Sequence, residues 1–299
     1  MKLLITGAWR ASEEELSMLR NMGHEIYLMP DERGELPCAP DLVEGVVCNG
    51  LFLHHKIEDF SSLKLIQLTS AGLDRVPVNY INEKGIALKN ARGVYSAPMA
   101  EYAVWGVLSL YKGAFSLYKN QSEKKWNKVR SVMELSDKRV LIVGCGSVGG
   151  ECAKRFSAMG CRVVGVDVVK RADENYREMY SIDDLDALIP QSDIIVLTLP
   201  YTEENRHLIN VSRIAEMKES AVLVNIARGG VVDTDALTKA LEARRIYGAV
   251  LDVFETEPLS PDSPLWGLEN VIITPHNSFV GENNAKRLSA VIMGNLSKE

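Results

Sequence analysis

Residues 140–150 read V-L-I-V-G-C-G-S-V-G-G, and no other stretch limits the fold as tightly. Four large apolar residues in a row fit a strand covered on both faces, as in the middle of a parallel sheet. Gly144, Gly146 and Gly149 follow with G-x-G-x-x-G spacing, and E-C-A-K-R-F-S-A-M-G after them reads as a helix. The next apolar run, V-V-G-V-D, ends in Asp167, eighteen residues past Gly149. A glycine triplet alone is weak. The strand before it, the helix after it and an acid about 20 residues on make it a dinucleotide-binding signature. Gly144 permits the tight turn, Gly146 lets backbone approach a pyrophosphate, and Gly149 permits close helix–strand packing. The helix start offers N–H groups and partial positive charge to the phosphates. Asp167 suits the ribose hydroxyls and repels a 2′-phosphate, which favours NAD over NADP. Lys170 and Arg171 follow closely and weaken that preference.

The rest of the chain repeats this plan. Short buried strands are expected at K-L-L-I-T (2–6), E-I-Y-L-M (25–29), G-V-V-C-N (45–49) and K-L-I-Q-L-T (64–69). A helix over 12–23, capped by Ser12 and stopped by Gly23, lies among them, and A-L-K-N-A-R-G (87–93) closes the section. A long helix begins near Ser96, with Pro98 in its first turn. A basic connection (119–138) leads to the glycine strand, and further strands are expected at 163–167, 193–199, 221–226, 249–254 and 271–275. The end of the chain, E-N-N-A-K-R-L-S-A-V-I-M-G-N-L-S-K, reads as a helix. Strand–helix alternation over 299 residues implies an α/β protein of two domains with parallel sheets. The net charge of −6 argues against a nucleic-acid partner, and K-K-W-N-K (124–128) reads as a solvated helix face. No apolar stretch is long enough for a bilayer, and the first residues read as a strand rather than a signal peptide. Five scattered cysteines without metal-ligand spacing point to reduced thiols in a cytoplasm and to no metal site.

Ligands of open α/β sheets bind beyond the carboxyl ends of strands. Arg228 follows A-V-L-V-N-I-A, Glu257 follows A-V-L-D-V-F-E-T, and His276 follows V-I-I-T-P. Each has an ordinary reading alone: a helix cap or surface pair, a solvated loop acid, a hydrogen-bonded histidine. Their recurrence at strand ends beside a cofactor loop favours chemistry. Reducing a 2-oxo acid with a nicotinamide needs a guanidinium for the carboxylate and carbonyl. It also needs a proton donor that works near neutral pH. A carboxylate beside that histidine favours its charged form.

These residues sit in stretches that together resemble the D-isomer-specific 2-hydroxyacid dehydrogenases over nearly the full length. The stretches are L-K-L-I-Q-L-T-S-A-G-L-D (63–74), S-A-P-M-A-E-Y-A-V (96–104), the glycine loop, L-T-L-P-Y-T-E-E-N-R-H-L-I-N (197–210), V-N-I-A-R-G-G-V-V-D-T-D-A-L (224–237), G-A-V-L-D-V-F-E-T-E-P-L (248–259) and S-P-L-W-G-L-E-N-V-I-I-T-P-H (263–276). The resemblance implies that Arg228 binds substrate, Glu257 pairs with the histidine and His276 donates the proton. It places Ser147 and Val148 at the pyrophosphate, and Thr198, Leu199 and Pro200 along the adenosine. Ile226 and Ala227 fall beside the nicotinamide, Asp252 on its carboxamide, and the N–H groups of Ala71 and Gly72 on the substrate carboxylate. It implies a discontinuous flavodoxin-like substrate domain, residues 1–96 completed by a C-terminal helix (278–299). A Rossmann domain binding NAD (97–277) is inserted in it, the active site lies in the cleft, and the cofactor domains pair in a homodimer. A-E-Y-A-V-W-G-V-L-S-L-Y would supply apolar area to that pairing, and an intramolecular core explains the run equally well. Asn277-Ser278-Phe279 stands where the family often has Ile-Gly or Ile-Ala, and Gly150 replaces a familiar arginine. The short tail reads as lacking a regulatory extension.

The loop Asn49-Gly50-Leu51-Phe52 is expected to face the distal end of the substrate. It carries no arginine or lysine before Lys56, which ranks phosphoglycerate below a small or apolar 2-oxo acid. Glyoxylate, pyruvate, hydroxypyruvate and branched-chain oxo acids stay open. His54 and His55 read as a solvated pair, and Cys145 as packing. The leading reading is an NAD-dependent reductase of 2-oxo acids to D-2-hydroxy acids. An NAD(H)-sensing, corepressor-like binding protein on the same fold is the alternative, and a relative that oxidises a small inorganic or one-carbon acid such as formate or phosphite is a third reading.

Overall fold

Among the described residues of the computed structural model every strand pair is parallel, so each strand must return through a crossover. The structure describes residues 1–169 and 173–297; Lys170 and Arg171 lie outside the described residues. The chain divides into two compact units, Met1–Tyr95 with Gly281–Glu299, and Ser96–Val280.

The first unit runs β1 (Lys2–Thr6), α1 (Glu13–Asn21), β2 (Glu25–Met29), β3 (Gly45–Cys48), β4 (Leu65–Leu68), α2 (Val78–Glu83) and β5 (Ala87–Lys89). Ser12 caps α1, and Glu15 completes a reciprocal capping box. The sheet order is β2-β1-β3-β4-β5, the flavodoxin-like arrangement with its reversal between β1 and β3. Alternate residues feed two cores: Leu3, Ile5 and Val47 on one face, Leu4, Val46 and Cys48 on the other.

The second unit starts with α3 (Ser96–Tyr111) and α4 (Ala114–Ser122). It continues with β6 (Arg139–Val143), α5 (Ser147–Ala158), β7 (Arg162–Asp167), β8 (Glu178–Ser181), α6 (Leu185–Leu188) and β9 (Ile194–Leu197). Then come α7 (Val211–Glu216), β10 (Val222–Asn225), α8 (Thr234–Glu242), β11 (Gly248–Leu251) and β12 (Val271–Ile273). The order β12-β11-β10-β9-β6-β7-β8 is a doubly wound sheet that reverses between β6 and β9. Leu141 and Val143 join one core and Val140 and Ile142 the other, so β6 is buried on both faces as its composition requires. Each such side chain contributes about 1.5–3 kcal/mol by burial. The last helix, α9 (Asn284–Leu296), belongs to the first unit. Its Leu288, Ile292 and Leu296 join the Leu3 core, and Ser289 Oγ accepts from Trp9 Nε1 at 2.9 Å.

Two sequence expectations are corrected. β8 was not foreseen, because E-M-Y-S is a polar edge strand with little apolar signal. K-K-W-N-K is not a helix face: α4 ends at Ser122, Lys124 takes a left-handed φ of 54°, and Trp126 stands 99 % exposed. Among the described residues no helix is long and apolar enough to cross a membrane.

Candidate active site

The reversal between β6 and β9 puts the glycine loop at the sheet's carboxyl edge. Gly144 adopts φ +94°, and a Cβ there would lie 2.6 Å from Leu199 N. A Cβ on Gly149 would lie 2.2 Å from Gly144 O, so β6 and α5 can approach only through glycine. At Gly146, the N-cap of α5, a Cβ would meet nothing within 4 Å, and no side chain caps the helix. The amino end of α5 is therefore built like an anion cradle, with its outer face open. Asp167 ends β7; its Oδ2 accepts from Cys145 N at 2.7 Å and its Oδ1 from Val169 N at 3.2 Å. Thr198 donates its hydroxyl to Gly144 O at 2.5 Å, Leu199 packs under Gly144, and Pro200 is exposed. Ile226 and Ala227 are buried at the end of β10. Burial pushes the Cys145 thiol up to about 11, which suits packing and not reactivity. These features fit a dinucleotide: a bare helix start, and a carboxylate at the end of the adjacent strand.

Beyond β11 and β12 the chain builds the polar group. His276 Nδ1 and Glu257 Oε2 are 2.9 Å apart, and Glu257 Oε1 accepts from Phe254 N at 3.0 Å. Both side chains stay accessible, at 41 % and 37 %. The pairing through Nδ1 leaves Nε2 as the ring nitrogen not engaged by Glu257. Phe279 packs edge-on against the imidazole at 6.1 Å. His276 sits at φ 52°, unusual for a residue with a Cβ. Asp252 lies below, fully buried, its carboxylate engaged by Thr274 Oγ1 (2.6 Å), Asn277 N (2.6 Å) and Ser278 N (2.9 Å).

Arg228 follows β10. Asn225 shapes its turn: Oδ1 accepts from Ala227 N at 3.1 Å, and Nδ2 donates to Arg228 O at 3.1 Å. A Cβ on Gly229 would lie 1.8 Å from Phe254 C, so the Arg228 turn lies directly on the 254–257 loop that carries Glu257. The second unit thus gathers Arg228, Glu257 and His276 from three strand ends onto adjoining loops. Asn225 and Thr274 were not singled out from sequence, and Phe279 only as a departure from the family pattern. Asn225 had a usable signal, as a buried polar residue ending an apolar strand.

Within the first unit, the β1/β3 reversal is occupied by Glu32. Its Oε1 accepts from Asn49 N and Thr6 Oγ1, and its Oε2 from Gly50 N, each at 2.7 Å. His55 is tied by Nε2 to Glu32 O at 3.0 Å, so only His54 is simply exposed. Arg75 Cδ comes within 4.0 Å of a Cβ built on Gly50, which brings a guanidinium stem to a loop with no cation of its own. The turn at Ala71 and Gly72 is held by its carbonyls, from Asn90 Nδ2 at 2.7 Å and Ser70 Oγ at 3.0 Å.

A family model described as D-isomer specific 2-hydroxyacid dehydrogenase, NAD binding domain, matches residues 104–278. A glyoxylate reductase of Thermofilum pendens is 36 % identical over 249 residues, covering 79 % of this chain and 74 % of that protein. A D-3-phosphoglycerate dehydrogenase of Archaeoglobus fulgidus is 32 % identical over 280 residues, 92 % of this chain but 53 % of the longer relative. Among solved structures, D-lactate dehydrogenase from Aquifex aeolicus complexed with NAD and lactic acid superposes with a TM-score of 0.77 at 27 % identity, covering 98 % of this chain and 94 % of that one. A D-isomer specific 2-hydroxyacid dehydrogenase from Xanthobacter autotrophicus, complexed with NADPH and MES, gives 0.80 at 27 % identity, covering 99 % and 93 %.

Proposed function

The chain belongs to the D-isomer specific 2-hydroxyacid dehydrogenase family, oxidoreductases acting on a CH–OH group, and we propose that it reduces a small or apolar 2-oxo acid reversibly to the D-2-hydroxy acid, with His276 as proton donor. The observation that carries this reading is the 2.9 Å His276–Glu257 pair on a loop adjoining the Arg228 turn. Glu257 accepts a hydrogen bond from Nδ1–H, which leaves Nε2–H to give its proton to the substrate oxygen. Arg228 anchors the substrate carboxylate and draws charge from the carbonyl through its planar fork.

Gly144, Gly146, Ser147, Val148 and Gly149 would hold the pyrophosphate, Asp167 the adenosine ribose, Thr198–Pro200 the adenosine flank, and Ile226 and Ala227 the nicotinamide side; Asp252, fully buried with both carboxylate oxygens engaged, would act through the turn that carries His276 rather than by touching the carboxamide. A bound reduced nicotinamide would supply a hydride to the substrate's second carbon, balanced by the proton from His276 to the oxygen. Asp167 favours NAD, since a carboxylate at the end of β7 would repel a 2′-phosphate. The first unit serves as substrate domain, with Ala71 and Gly72 N–H groups toward the carboxylate and Asn49 toward the distal end. The cofactor units pair as a homodimer, and the free thiols suit a cytoplasm.

The test is NADH and NADPH oxidation against glyoxylate, pyruvate, hydroxypyruvate, branched-chain oxo acids and phosphohydroxypyruvate. His276→Ala is expected to lower kcat by roughly 10²–10⁴-fold. Undiminished turnover by that variant removes the proton donor. A wild type inert on the whole panel removes the substrate class.

A further inference from the structure

The reaction asks one unusual thing of the backbone: His276 must stay in a left-handed conformation, φ 52°, that residues with a Cβ avoid. Three consecutive N–H groups show how it is held. His276 N donates to the main-chain oxygen of Asp252 at 2.8 Å. Asn277 N and Ser278 N donate to Oδ1 and Oδ2 of the same residue at 2.6 and 2.9 Å. One buried aspartate therefore grips the strained turn through its backbone and both carboxylate oxygens.

That carboxylate has a third donor. Thr274 Oγ1 lies 2.6 Å from Asp252 Oδ1, and Tyr102 Oη of α3 bonds the same Thr274 oxygen. The order of protons is forced. Both oxygens of Asp252 accept a backbone N–H, and Thr274 donates its hydroxyl to Oδ1. Its lone pair is then left for Tyr102, which must donate. Burial raises the Tyr102 phenol to about 12, so it stays a donor at any working pH. Trp105 packs on its ring at 5.2 Å and steadies it.

We propose that Tyr102 and Thr274 are positioning residues for His276: the directed chain Tyr102 Oη–H to Thr274 Oγ1–H to Asp252 Oδ1 locks the carboxylate under the 276–278 turn, and so fixes where the imidazole stands. Neither residue touches a reacting atom. The proposal rests on His276 being the proton donor, and its test separates the two. Thr274→Val keeps shape and removes the donor; Thr274→Ser restores it; Tyr102→Phe removes only the outer link.

With glyoxylate and NADH, Thr274→Val is expected to lower kcat by up to about 10²-fold, the effect of a small misplacement of a reacting group, with little change in KM for NADH. Tyr102→Phe is expected to lower kcat about five-fold, the size of one hydrogen bond. Thr274→Ser returns kcat to near the wild-type value. In a His276→Ala background Thr274→Val adds no further loss, because both act through one group. Hydrogen exchange of the protein without cofactor gives a readout free of activity: the Asn277 and Ser278 amides exchange faster in Thr274→Val and Tyr102→Phe. Unchanged exchange overturns the proposal. So does a kcat loss that Thr274→Ser does not rescue, or one that persists in full without His276. Should Thr274→Val not fold, Tyr102→Phe decides alone, and no change in its kcat or exchange overturns the proposal. Full activity of His276→Ala overturns the proton-donor reading instead, while the exchange result still reports whether the chain holds the turn.

Discussion

Glu257 meets two donors at once, Phe254 N–H and His276 Nδ1–H, and this fixes what a substitution does. Glutamine in its place has one oxygen and one NH2. If the oxygen serves Phe254, the NH2 faces Nδ1, which must then be bare, and the neutral ring carries its proton on Nε2. That proton belongs to imidazole rather than imidazolium and is a far weaker acid. If the amide turns over, its NH2 opposes the Phe254 N–H. Either way Glu257→Gln is expected to lower kcat for reduction by roughly 10²–10⁴-fold, comparable to a triad whose histidine is held in the wrong tautomer, with KM for glyoxylate little moved. Steady-state kinetics check this, and an unaltered kcat would mean the carboxylate does nothing for the ring. His276, Glu257 and Arg228 were visible in the sequence because each follows an apolar strand in an α/β pattern. Tyr102 and Glu32 were not, because what gives them meaning is far away in the chain. Tyr102 meets Thr274 across 172 positions, and Glu32 meets two amides 17 and 18 positions on.

At the scale of elements, the turn from β6 into α5 separates glycines that packing requires from one that a ligand requires. Gly149→Ala drives a Cβ to 2.2 Å from the Gly144 carbonyl oxygen, a backbone atom that cannot step aside. A loss of about 1–3 kcal/mol is expected from overpacking, seen as a lower Tm. Gly146→Ala meets nothing within 4 Å, so its Tm should match the wild type. If Gly146 is where backbone meets pyrophosphate, the same change should weaken NADH binding about ten-fold, equivalent to about 1.4 kcal/mol, in a fluorescence titration. Wild-type affinity in Gly146→Ala would place the phosphates elsewhere. The apolar strands were legible because a run such as V-L-I-V has no stable place except between two covered faces. β8 was not, since E-M-Y-S pairs only along β7 and buries no side chain fully. The sequence marked the basic stretch after α3 as polar, but polarity does not say where a helix ends, and α4 stops before it.

For the molecule as a whole, the long apolar helix α3 posed a question its sequence leaves open: core or interface. The structure buries one side of the helix in the second unit and leaves part of the other exposed. Ala100, Ala103, Val107 and Leu110 are buried in the second unit, and Gly106 is pressed on Val250, where a Cβ would come within 2.5 Å. Trp105 remains 49 % exposed, and α4 adds Phe115 at 47 % and Tyr118 at 69 %. A groove of about 720 Å³ lined by Trp105, Leu108, Tyr118 and Met159 lies among them. Apolar periodicity reports only that a side chain avoids water, and cannot tell burial within a chain from burial between chains. Clustered exposed aromatics of this kind mark an interaction face, and a stable pairing needs about 1,200–2,000 Å² in total. If two cofactor units meet here, Phe115→Lys with Tyr118→Lys places charges of one sign from both copies in the middle of the contact. Each copy would have to bury both beside their like-charged counterparts, at a cost that a pairing of this size does not absorb. Trp105, which packs on Tyr102, is left untouched, so the loop under His276 keeps its support. Wild type is expected to sediment at twice the mass of one chain at micromolar concentration, and the double variant at the mass of one, with its far-UV spectrum unchanged. A double variant that still sediments as a pair would move the interface to another face, and a wild type that sediments as a single chain would leave this aromatic face to a different partner.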